Sequence, residues 1–295
     1  MGGGILQEKA QAEIGVIGGS GIYQIEGLQN IREVKIDTPF GKPSDSYIIG
    51  ELEGRKIAFL PRHGRGHRIL PSEINYRANI IGFKMLGVTQ IISISAVGSM
   101  KKEIEPLNIV IPDQLFDRTK LRTSTFFGDG IVAHIAFDKP FCPALSKILY
   151  EAASGLDLKT HLGGTYICIE GPQFSTKAES RIYRQWGVDI IGMTGIPEAK
   201  LAREAEICYA TLALVTDYDV WYEGEEVTAE MVMENMRKNV ENAKRVLREA
   251  VKMLPYDGSR CTCRNALKNS IVTDLAKVDR KTLEKLRPII SKYIK

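Results

Sequence analysis

The amino-acid sequence predicts a single α/β domain, in which helices flank a central mixed β-sheet whose strands are largely parallel. Short apolar runs rich in β-branched residues alternate with helical segments along the chain, and this alternation is typical of layered α/β folds. The runs are continuous rather than alternating in polarity, as expected for strands that are covered on both faces. The 295 residues are enough for one large domain or two small ones, and no low-complexity linker divides them.

Eight β-branched runs are predicted to be strands. The first begins at Ile14 and ends in the glycine-rich turn Gly18–Gly21, a combination typical of a buried strand followed by a tight loop. The other seven are Ser46–Ile49, Lys56–Leu60, Gln90–Ser95, Ile109–Ile111, Tyr166–Ile169, Asp189–Ile191 and Ile207–Val215.

Six segments have the amphipathic, helix-rich composition of helices. The first has a start signal in Pro71 and Ser72 and a stop signal in Gly87. The six predicted helices are Ser72–Met85, Ala144–Ala153, Lys177–Trp186, Glu198–Glu206, Thr228–Met253 and Lys281–Tyr293.

The turn-rich stretch Pro255–Arg264 is the one break in this organisation. We therefore expect an N-terminal tail over residues 1–13 and one domain over residues 14–254. A C-terminal extension over residues 255–295 would carry a Cys-x-Cys motif and a terminal helix.

Composition argues against several classes of protein. The chain has 40 Lys or Arg and 36 Asp or Glu, a formal net charge of +4, which is too weak for a nucleic-acid-binding surface. No apolar run approaches the roughly 20 residues of a membrane helix, and the N-terminus lacks a signal-peptide pattern. Five cysteines in a chain of this length do not make a disulfide scaffold. We expect a cytoplasmic protein with neither nucleic-acid nor membrane partners.

The glycine loop after the first strand is a candidate anion site. It lacks the third glycine of a dinucleotide fingerprint and the lysine of a P-loop. Its backbone N–H groups and the hydroxyl of Ser20 nevertheless suit a phosphate ion. A purely structural turn is the alternative.

A second loop, Pro61–Arg68, holds three arginines and two histidines, among them Arg62 and His63. It follows a predicted strand, where α/β proteins bind ligands, and an arginine fork matches two phosphate oxygens. His63 and His67 are four residues apart, as in a helical metal site, but the glycines between them disfavour a helix. Phosphate is therefore favoured over a solvated basic loop, and both over a metal.

Two further turns at strand ends fit the same interpretation. One presents the Ser95 hydroxyl and the Ala96 N–H, and the other places Thr194 just before a helix whose N-terminus favours anions.

Two carboxylates end the last predicted strand. Asp217 and Asp219 are two residues apart, so in a strand both side chains point to the same side. A carboxyl group accepts hydrogen bonds when ionised and donates one when protonated, which suits a ring nitrogen that needs a proton and an amino group that offers one. A turn or cap role is the alternative.

Six stretches together resemble the trimeric purine nucleoside phosphorylase family, and above all its members that act on 5′-methylthioadenosine. The resemblance implies a central mixed sheet flanked by helices. It also implies cleavage of methylthioadenosine by phosphate to adenine and methylthioribose 1-phosphate, with no metal and no organic cofactor. The stretches are Gly18–Ile22, Thr38–Ser44, Arg62–Arg65, Ile169–Ser175, Gly192–Thr194 and Thr216–Asp219.

The resemblance assigns roles to residues. Asp217 would bridge purine N7, and Asp219 would support recognition of the 6-amino group of adenine. Met193 would pack on the sugar and Phe174 would stack near the purine. The residues expected to hold phosphate are Ser20, Arg62, His63, Ser95, Ala96 and Thr194.

The resemblance also concerns the 5′ end of the substrate and the assembly. Ser175, Ala229 and Val232 align with positions that set specificity at the 5′ end of the nucleoside. His134 resembles a residue donated by a neighbouring subunit, which implies self-association as a trimer or a dimer of trimers.

Cys261-Thr-Cys263 resembles the Cys-x-Cys motif of archaeal hyperthermophile members of the family. This spacing is too close for a zinc site without two further ligands, and a disulfide within it would close a strained, easily reduced ring. Cys142 and Cys208 are candidates for a structural disulfide if the source is a hyperthermophile. Free buried thiols are the alternative.

Three other functions stay open at this point. The first is phosphorolysis of adenosine, inosine, guanosine or methylthioinosine. The second is a hydrolytic nucleosidase, against which the loop with Arg62 and His63 argues because water needs no phosphate site. The third is a non-catalytic phosphate- or nucleotide-binding module, which gives no reason for Asp217 and Asp219.

Overall fold

The computed structural model of the protein describes residues 10–19, 21–223, 229–254 and 261–294. Within them, eleven strands form one sheet. They are β1 (Ile14–Gly18), β2 (Gln29–Val34), β3 (Tyr47–Leu52), β4 (Arg55–Pro61), β5 (Gln90–Ser99), β6 (Ile109–Ile111), β7 (Gln114–Arg118), β8 (Thr160–Leu162), β9 (Thr165–Ile169), β10 (Ile190–Gly192) and β11 (Cys208–Tyr218).

The sheet is mixed and largely parallel, as predicted. Its main path runs β2-β3-β4-β1-β5-β10-β9-β7, and β11 pairs with both β5 and β6, which in turn pairs with β8. Strands β1, β4, β5 and β11 form the parallel centre, while β10 pairs antiparallel with the end of β5. The long strand β5 therefore pairs with three strands, β1, β10 and β11, and lies at the centre of the sheet.

Side chains of the central strands are buried on both faces of the sheet, which explains why the sequence of these strands is continuously apolar. In β11, Cys208 and Leu212 lie in one apolar cluster, whereas Tyr209 and Ala213 lie in the other. The same alternation in β1 sends Val16 to the first cluster and Ile17 to the second.

Helices cover both faces of the sheet. The helices are α1 (Tyr76–Met85), α2 (Pro143–Ser154), α3 (Lys177–Gln185), α4 (Glu198–Glu204), α5 (Ala229–Met253) and α6 (Arg280–Ile290). Helices α2 and α5 pack on each other, and α1 packs on α4 and α6. Among the described residues, no helix combines the length and apolar character needed to cross a membrane.

Some predicted boundaries were wrong. Helix α1 begins at Tyr76 rather than Ser72, because the side chain of Asn75 caps it by accepting a hydrogen bond from Ala78 N at 3.1 Å. The last helix ends at Ile290 and continues as a 3₁₀ turn over Ser291–Tyr293. Thr228, the predicted start of the helix before it, lies outside the described residues.

Three strands were missed: β2, β7 and β8. Within the described ranges, strand β2 pairs only with β3 and is mostly exposed, and β7 occupies the opposite end of the main path. Backbone pairing rather than side-chain burial holds such edge strands, so their polar sequences carry little strand signal.

The described part of the C-terminal segment packs against the domain. Ala133 bridges to Ile271, and Glu206, which is buried, accepts hydrogen bonds from Leu267 N at 3.0 Å and from the Tyr293 hydroxyl at 2.6 Å. The disulfides considered for Cys142, Cys208, Cys261 and Cys263 are not formed, since all five cysteines are free thiols.

Candidate functional site

The loops that follow several central strands lie close together, at the carboxyl ends of those strands. Gly18 at the end of β1 is in register with Pro61 at the end of β4, and the backbone N–H of Arg62 donates to Gly18 O at 2.9 Å. Ser95 in β5 lies opposite Ala213 in β11. The predicted phosphate loops are therefore neighbours. Ser20, the expected hydroxyl of the glycine loop, lies outside the described residues.

Arg62 is fully buried and forms an ion pair with Glu198 of α4, which is also fully buried. Its Nη2 lies 3.1 Å from Glu198 Oε2 and 2.8 Å from Ser93 Oγ, and its Nη1 lies 3.2 Å from Ile94 O. Burial lowers the pKa of Arg62, but the adjacent carboxylate outweighs it and the net pKa is raised. The guanidinium is therefore a fixed positive charge.

The fork of Arg62, expected to face phosphate, faces Glu198 instead. A guanidinium has five N–H donors. Nε–H and the Nη2 hydrogens bind Glu198 and Ser93, and one Nη1 hydrogen binds Ile94 O. For the second Nη1 hydrogen, no hydrogen bond is found among the described residues.

His63 is partly buried, and a backbone carbonyl six residues further along the chain holds its ring. Its Nδ1 lies 2.8 Å from Ile69 O, so Nδ1 carries the hydrogen and Nε2 of the neutral ring is an acceptor. Burial, and then the charge of Arg62, lower its pKa to about 4. The ring stacks on His67 at 4.2 Å between centroids. A neutral imidazole thus stands beside the fixed cation.

The structure brings two further predicted phosphate ligands together. Ser95 Oγ of β5 and Thr194 Oγ1, which follows β10, are 3.0 Å apart and buried. Ala96, the next residue of β5, is exposed. Ser95 directly follows Ile94, whose carbonyl holds Arg62, so the two hydroxyls and the guanidinium border the same stretch of β5.

The acidic pair lies at the end of β11, the parallel neighbour of β5; Asp217 is in the strand and Asp219 follows it. Strand β11 has an irregularity between Val215 and Asp217, after which Asp217 lies opposite Gly98 of β5. A methyl group at Gly98 would lie 3.7 Å from Asp217 Oδ2 and 3.7 Å from Asp219 Cβ. Both aspartates therefore border Gly98, and a bulge is a common way to re-aim side chains near a site.

Both carboxyl groups favour the protonated form more than a free aspartate does. Burial raises the pKa of Asp217; a hydrogen bond from the Thr216 hydroxyl opposes this rise, and the charge of Asp219 adds to it. Burial also raises the pKa of Asp219. Asp219 Oδ2 is buried and makes no hydrogen bond to the described residues, while the nearby Ser180 hydroxyl opposes the rise in the pKa of Asp219.

The loop after β9 borders the same region. Gly171 lies so close to Met193 that a methyl group on it would be 2.5 Å from the thioether sulfur. Ser175 Oγ is buried without a described partner. Phe174, three residues from Gly171, is 82% exposed, so its ring is not packed against the protein.

Three predicted residues remain: Ala229, Val232 and His134. Ala229 and Val232 fall in the first turn of α5, and their side chains lie outside the part that is described. Further along α5, Asn235 Nδ2 donates to Thr216 O at 2.9 Å, so this helix supports the end of β11. His134 has an exposed side chain, and its backbone N–H donates to Ser270 O.

Sequence reasoning missed two buried charged residues. One is Glu198, which was predicted only as the first residue of a helix. The signal that could have found it is that a carboxylate follows Thr194 so closely in the chain. The other is Arg122, whose side chain is 1% exposed. It donates to Glu170 Oε1 at 2.9 Å and to Met193 O at 2.7 Å, and so ties the loop after β9 to the loop after β10. No motif pointed to Arg122.

A family model described as the phosphorylase superfamily matches residues 13–252. A curated relative from Koribacter versatilis, named S-methyl-5′-thioadenosine phosphorylase, is 57% identical over 284 residues, 96% of this chain and 97% of the relative. One of the same name from Hyperthermus butylicus is 53% identical over 265 residues, 89% of this chain and 96% of its own.

Solved structures agree. A methylthioadenosine phosphorylase from an antarctic soil metagenomic library superposes with a TM-score of 0.92 at 50% identity, over 95% of this chain and 99% of that one. A variant of the adenosine/methylthioadenosine phosphorylase of Schistosoma mansoni, solved with adenine, superposes with a TM-score of 0.77 at 39% identity, over 82% of this chain and 91% of that one.

Proposed function

The chain belongs to the phosphorylase superfamily, and from this premise we propose that it cleaves S-methyl-5′-thioadenosine with inorganic phosphate. The products are adenine and 5-methylthioribose 1-phosphate. One observation carries the proposal beyond the names of relatives. Asp217, which is half-buried, and Asp219, which is buried, lie at the end of β11, which pairs with β5. Strand β5 carries Ser95, which is hydrogen-bonded to Thr194, and Ile94, whose carbonyl accepts a hydrogen bond from Arg62.

Phosphate binds among Arg62, His63, Ser95 and Thr194, with the Ala96 N–H and the Ser20 hydroxyl completing the set. Arg62 supplies the charge and one N–H. The hydroxyls of Ser95 and Thr194, now bonded to each other, turn to donate to the anion. The neutral His63 accepts a hydrogen bond at Nε2 from a protonated phosphate oxygen.

The reaction transfers the sugar from nitrogen to oxygen. A phosphate oxygen forms a bond to C1′ as the bond from C1′ to N9 breaks, and the electron pair of that bond passes to the purine. The sugar carries oxocarbenium character in between, as in glycoside hydrolysis. Asp217 gives its proton to N7, so adenine leaves uncharged, which is general acid catalysis. Burial raises the pKa of Asp217, a shift in the direction of the protonated form that this step uses.

Asp219 sets the preference for the base. Asp219 accepts a hydrogen bond from the 6-amino group of adenine at its buried Oδ2, which makes no hydrogen bond to the described residues. A 6-oxopurine presents an acceptor there and leaves two acceptors facing each other. Adenosine, which carries the same 6-amino group, is the second candidate substrate, and the Schistosoma relative is named for both nucleosides.

The 5′ end and the assembly complete the proposal. Ser175, Ala229 and Val232 border the methylthio group, Met193 packs on the sugar, and Phe174 closes on the purine from its exposed position. The protein self-associates as a trimer or a dimer of trimers, with His134 reaching the neighbouring site. It works in the cytoplasm and needs neither a metal nor an organic cofactor for turnover.

Initial rates on four nucleosides test the proposal. With saturating phosphate, we expect kcat/KM to be highest for methylthioadenosine, lower for adenosine, and lowest for inosine and guanosine. A clear preference for inosine would overturn the assignment of Asp219.

A further inference from the structure

Four of the five cysteines converge outside the proposed active site. The Sγ atoms of Cys142, Cys208, Cys261 and Cys263 all lie within 4.8 Å of one another. Cys142, Cys208 and Cys263 are buried, and Cys261 is partly exposed. The Cys-x-Cys motif lacked two further ligands in sequence, and the fold supplies them from positions 53 or more residues away in the chain.

We propose that these four sulfurs form a structural site for a tetrahedral, thiolate-preferring cation, Zn²⁺. Zinc–sulfur bonds of about 2.3 Å place the sulfurs of a four-cysteine site about 3.8 Å apart, within the separations found here. The closest pair, Cys208 Sγ and Cys261 Sγ at 3.0 Å, needs to part by about 0.8 Å to reach that edge length. A disulfide needs an approach to about 2.05 Å instead.

The two halves of the site are held differently. Cys142 is the residue before α2, and its N–H donates to Tyr209 O at 2.7 Å. Cys208 is the first residue of β11, and its N–H donates to Thr89 O at 3.0 Å. Both are thus fixed by the backbone of the domain and present a preformed pair. Cys261 and Cys263 bring the second pair from the C-terminal segment.

The surroundings suit a closed structural site. Three ligands lie in the apolar cluster that α2 and α5 form on one face of the sheet, which keeps water from the ion. The N-terminus of α2 favours the negative charge of the Cys142 thiolate. Four protein ligands leave no open coordination position, so the ion is structural rather than catalytic.

Bound zinc would fasten the C-terminal segment to the domain. Cys261 lies 53 positions after Cys208, and the segment that follows carries Leu267 and α6, which pack in the other core cluster. Because the folded chain binds the ion and the unfolded chain lacks the preformed site, binding stabilises the fold.

The test measures zinc directly on the full chain. Protein is prepared without an affinity tag, with added Zn²⁺ and a phosphine reductant, dialysed, and analysed by elemental mass spectrometry. We expect about one zinc per chain in the native protein and in the matched control Cys168→Ala, which removes the fifth buried cysteine. The double variant Cys261→Ser with Cys263→Ser should contain none, and a chelator should lower the Tm of the native protein but not of that variant.

Two results would overturn the proposal. One is native protein with five titratable thiols and no bound zinc after exposure to Zn²⁺. The other concerns native protein prepared without reductant. Its mass would show the loss of two hydrogens per disulfide among these four cysteines, and the protein would hold no zinc after reduction. Cobalt substitution gives an independent readout, because four thiolates around Co²⁺ produce the absorption spectrum of a tetrahedral sulfur site.

Discussion

Arg62 and Glu198 form a buried ion pair that joins the loop after β4 to the first turn of α4, 136 positions away in the chain. Glu198 also accepts hydrogen bonds from Ser93 Oγ at 3.2 Å and from the Tyr209 hydroxyl at 2.8 Å. The Glu198 carboxylate therefore fixes the position of Arg62, the cation on which the proposed phosphate site depends. The ion pair is part of the buried framework of the fold as well as of the proposed site.

Replacing Glu198 by Gln should destabilise the protein, because it leaves the Arg62 cation buried without a counter-charge. Removing one partner of a buried pair costs about 3–5 kcal/mol, and we expect a fall in the urea midpoint of unfolding at fixed protein concentration. The matched control is Glu151→Gln, which removes a partner from the exposed pair with Lys147 and should cost less than about 1 kcal/mol. An unchanged midpoint in Glu198→Gln would refute this role.

Replacing Asp217 by Asn should remove the proton donor while keeping the shape of the side chain. Loss of a general acid typically costs 10²–10⁴-fold, so we expect kcat to fall by about that factor. Phosphate affinity, measured by calorimetry, should be largely intact because the phosphate ligands are elsewhere. Asp157→Asn, a change at an exposed turn, is the control and should leave kcat unchanged. Full turnover in Asp217→Asn contradicts the acid role.

Replacing Asp219 by Asn should shift the enzyme's preference between bases. The amide N–H₂ can donate to a 6-oxo group, whereas the carboxylate accepts from a 6-amino group. A mismatched buried polar pair costs about 1–3 kcal/mol, so the ratio of kcat/KM for methylthioadenosine to that for inosine should fall about tenfold or more. A ratio equal to that of the native enzyme would show that Asp219 does not read the base.

The stability of the protein should depend on His63 between pH 6.5 and about 4. Its pKa falls from 6.5 to about 4 on folding, so in this window the unfolded chain binds the extra proton. Its contribution to stability is complete above pH 6.5 and is lost as the pH falls toward 4. In His63→Gln, urea midpoints at pH 7 and pH 5 should differ less than in the native protein. A pH dependence of the midpoint in His63→Gln equal to that of the native protein would contradict this role of His63.

Much of the fold could be predicted from local sequence. Strands such as Ile109–Ile111 carry their signal in continuous apolar side chains because they are buried on both faces. Strand β2 and helix α1 show where this reasoning ends. Strand β2 forms because its backbone pairs with β3. Helix α1 begins where the side chain of Asn75 caps it.

The site was predictable where a residue type matched the chemistry of a strand end. Ser95, Thr194, Asp217 and Asp219 were proposed in this way, and the fold brings the first two within hydrogen-bond distance. Arg122 could not be found, because its importance comes from carbonyls of two loops distant in sequence. Contacts of this kind depend on tertiary structure alone.

The phosphate dependence of adenine release tests the central claim most directly. Methylthioadenosine is incubated with the enzyme in phosphate buffer and in phosphate-free buffer, and the products are followed by ³¹P NMR and by the absorbance of adenine. We predict that adenine and a sugar 1-phosphate form in equal amounts with phosphate and that release stops without it. Equal release of adenine without phosphate, with free methylthioribose as the product, would contradict the account.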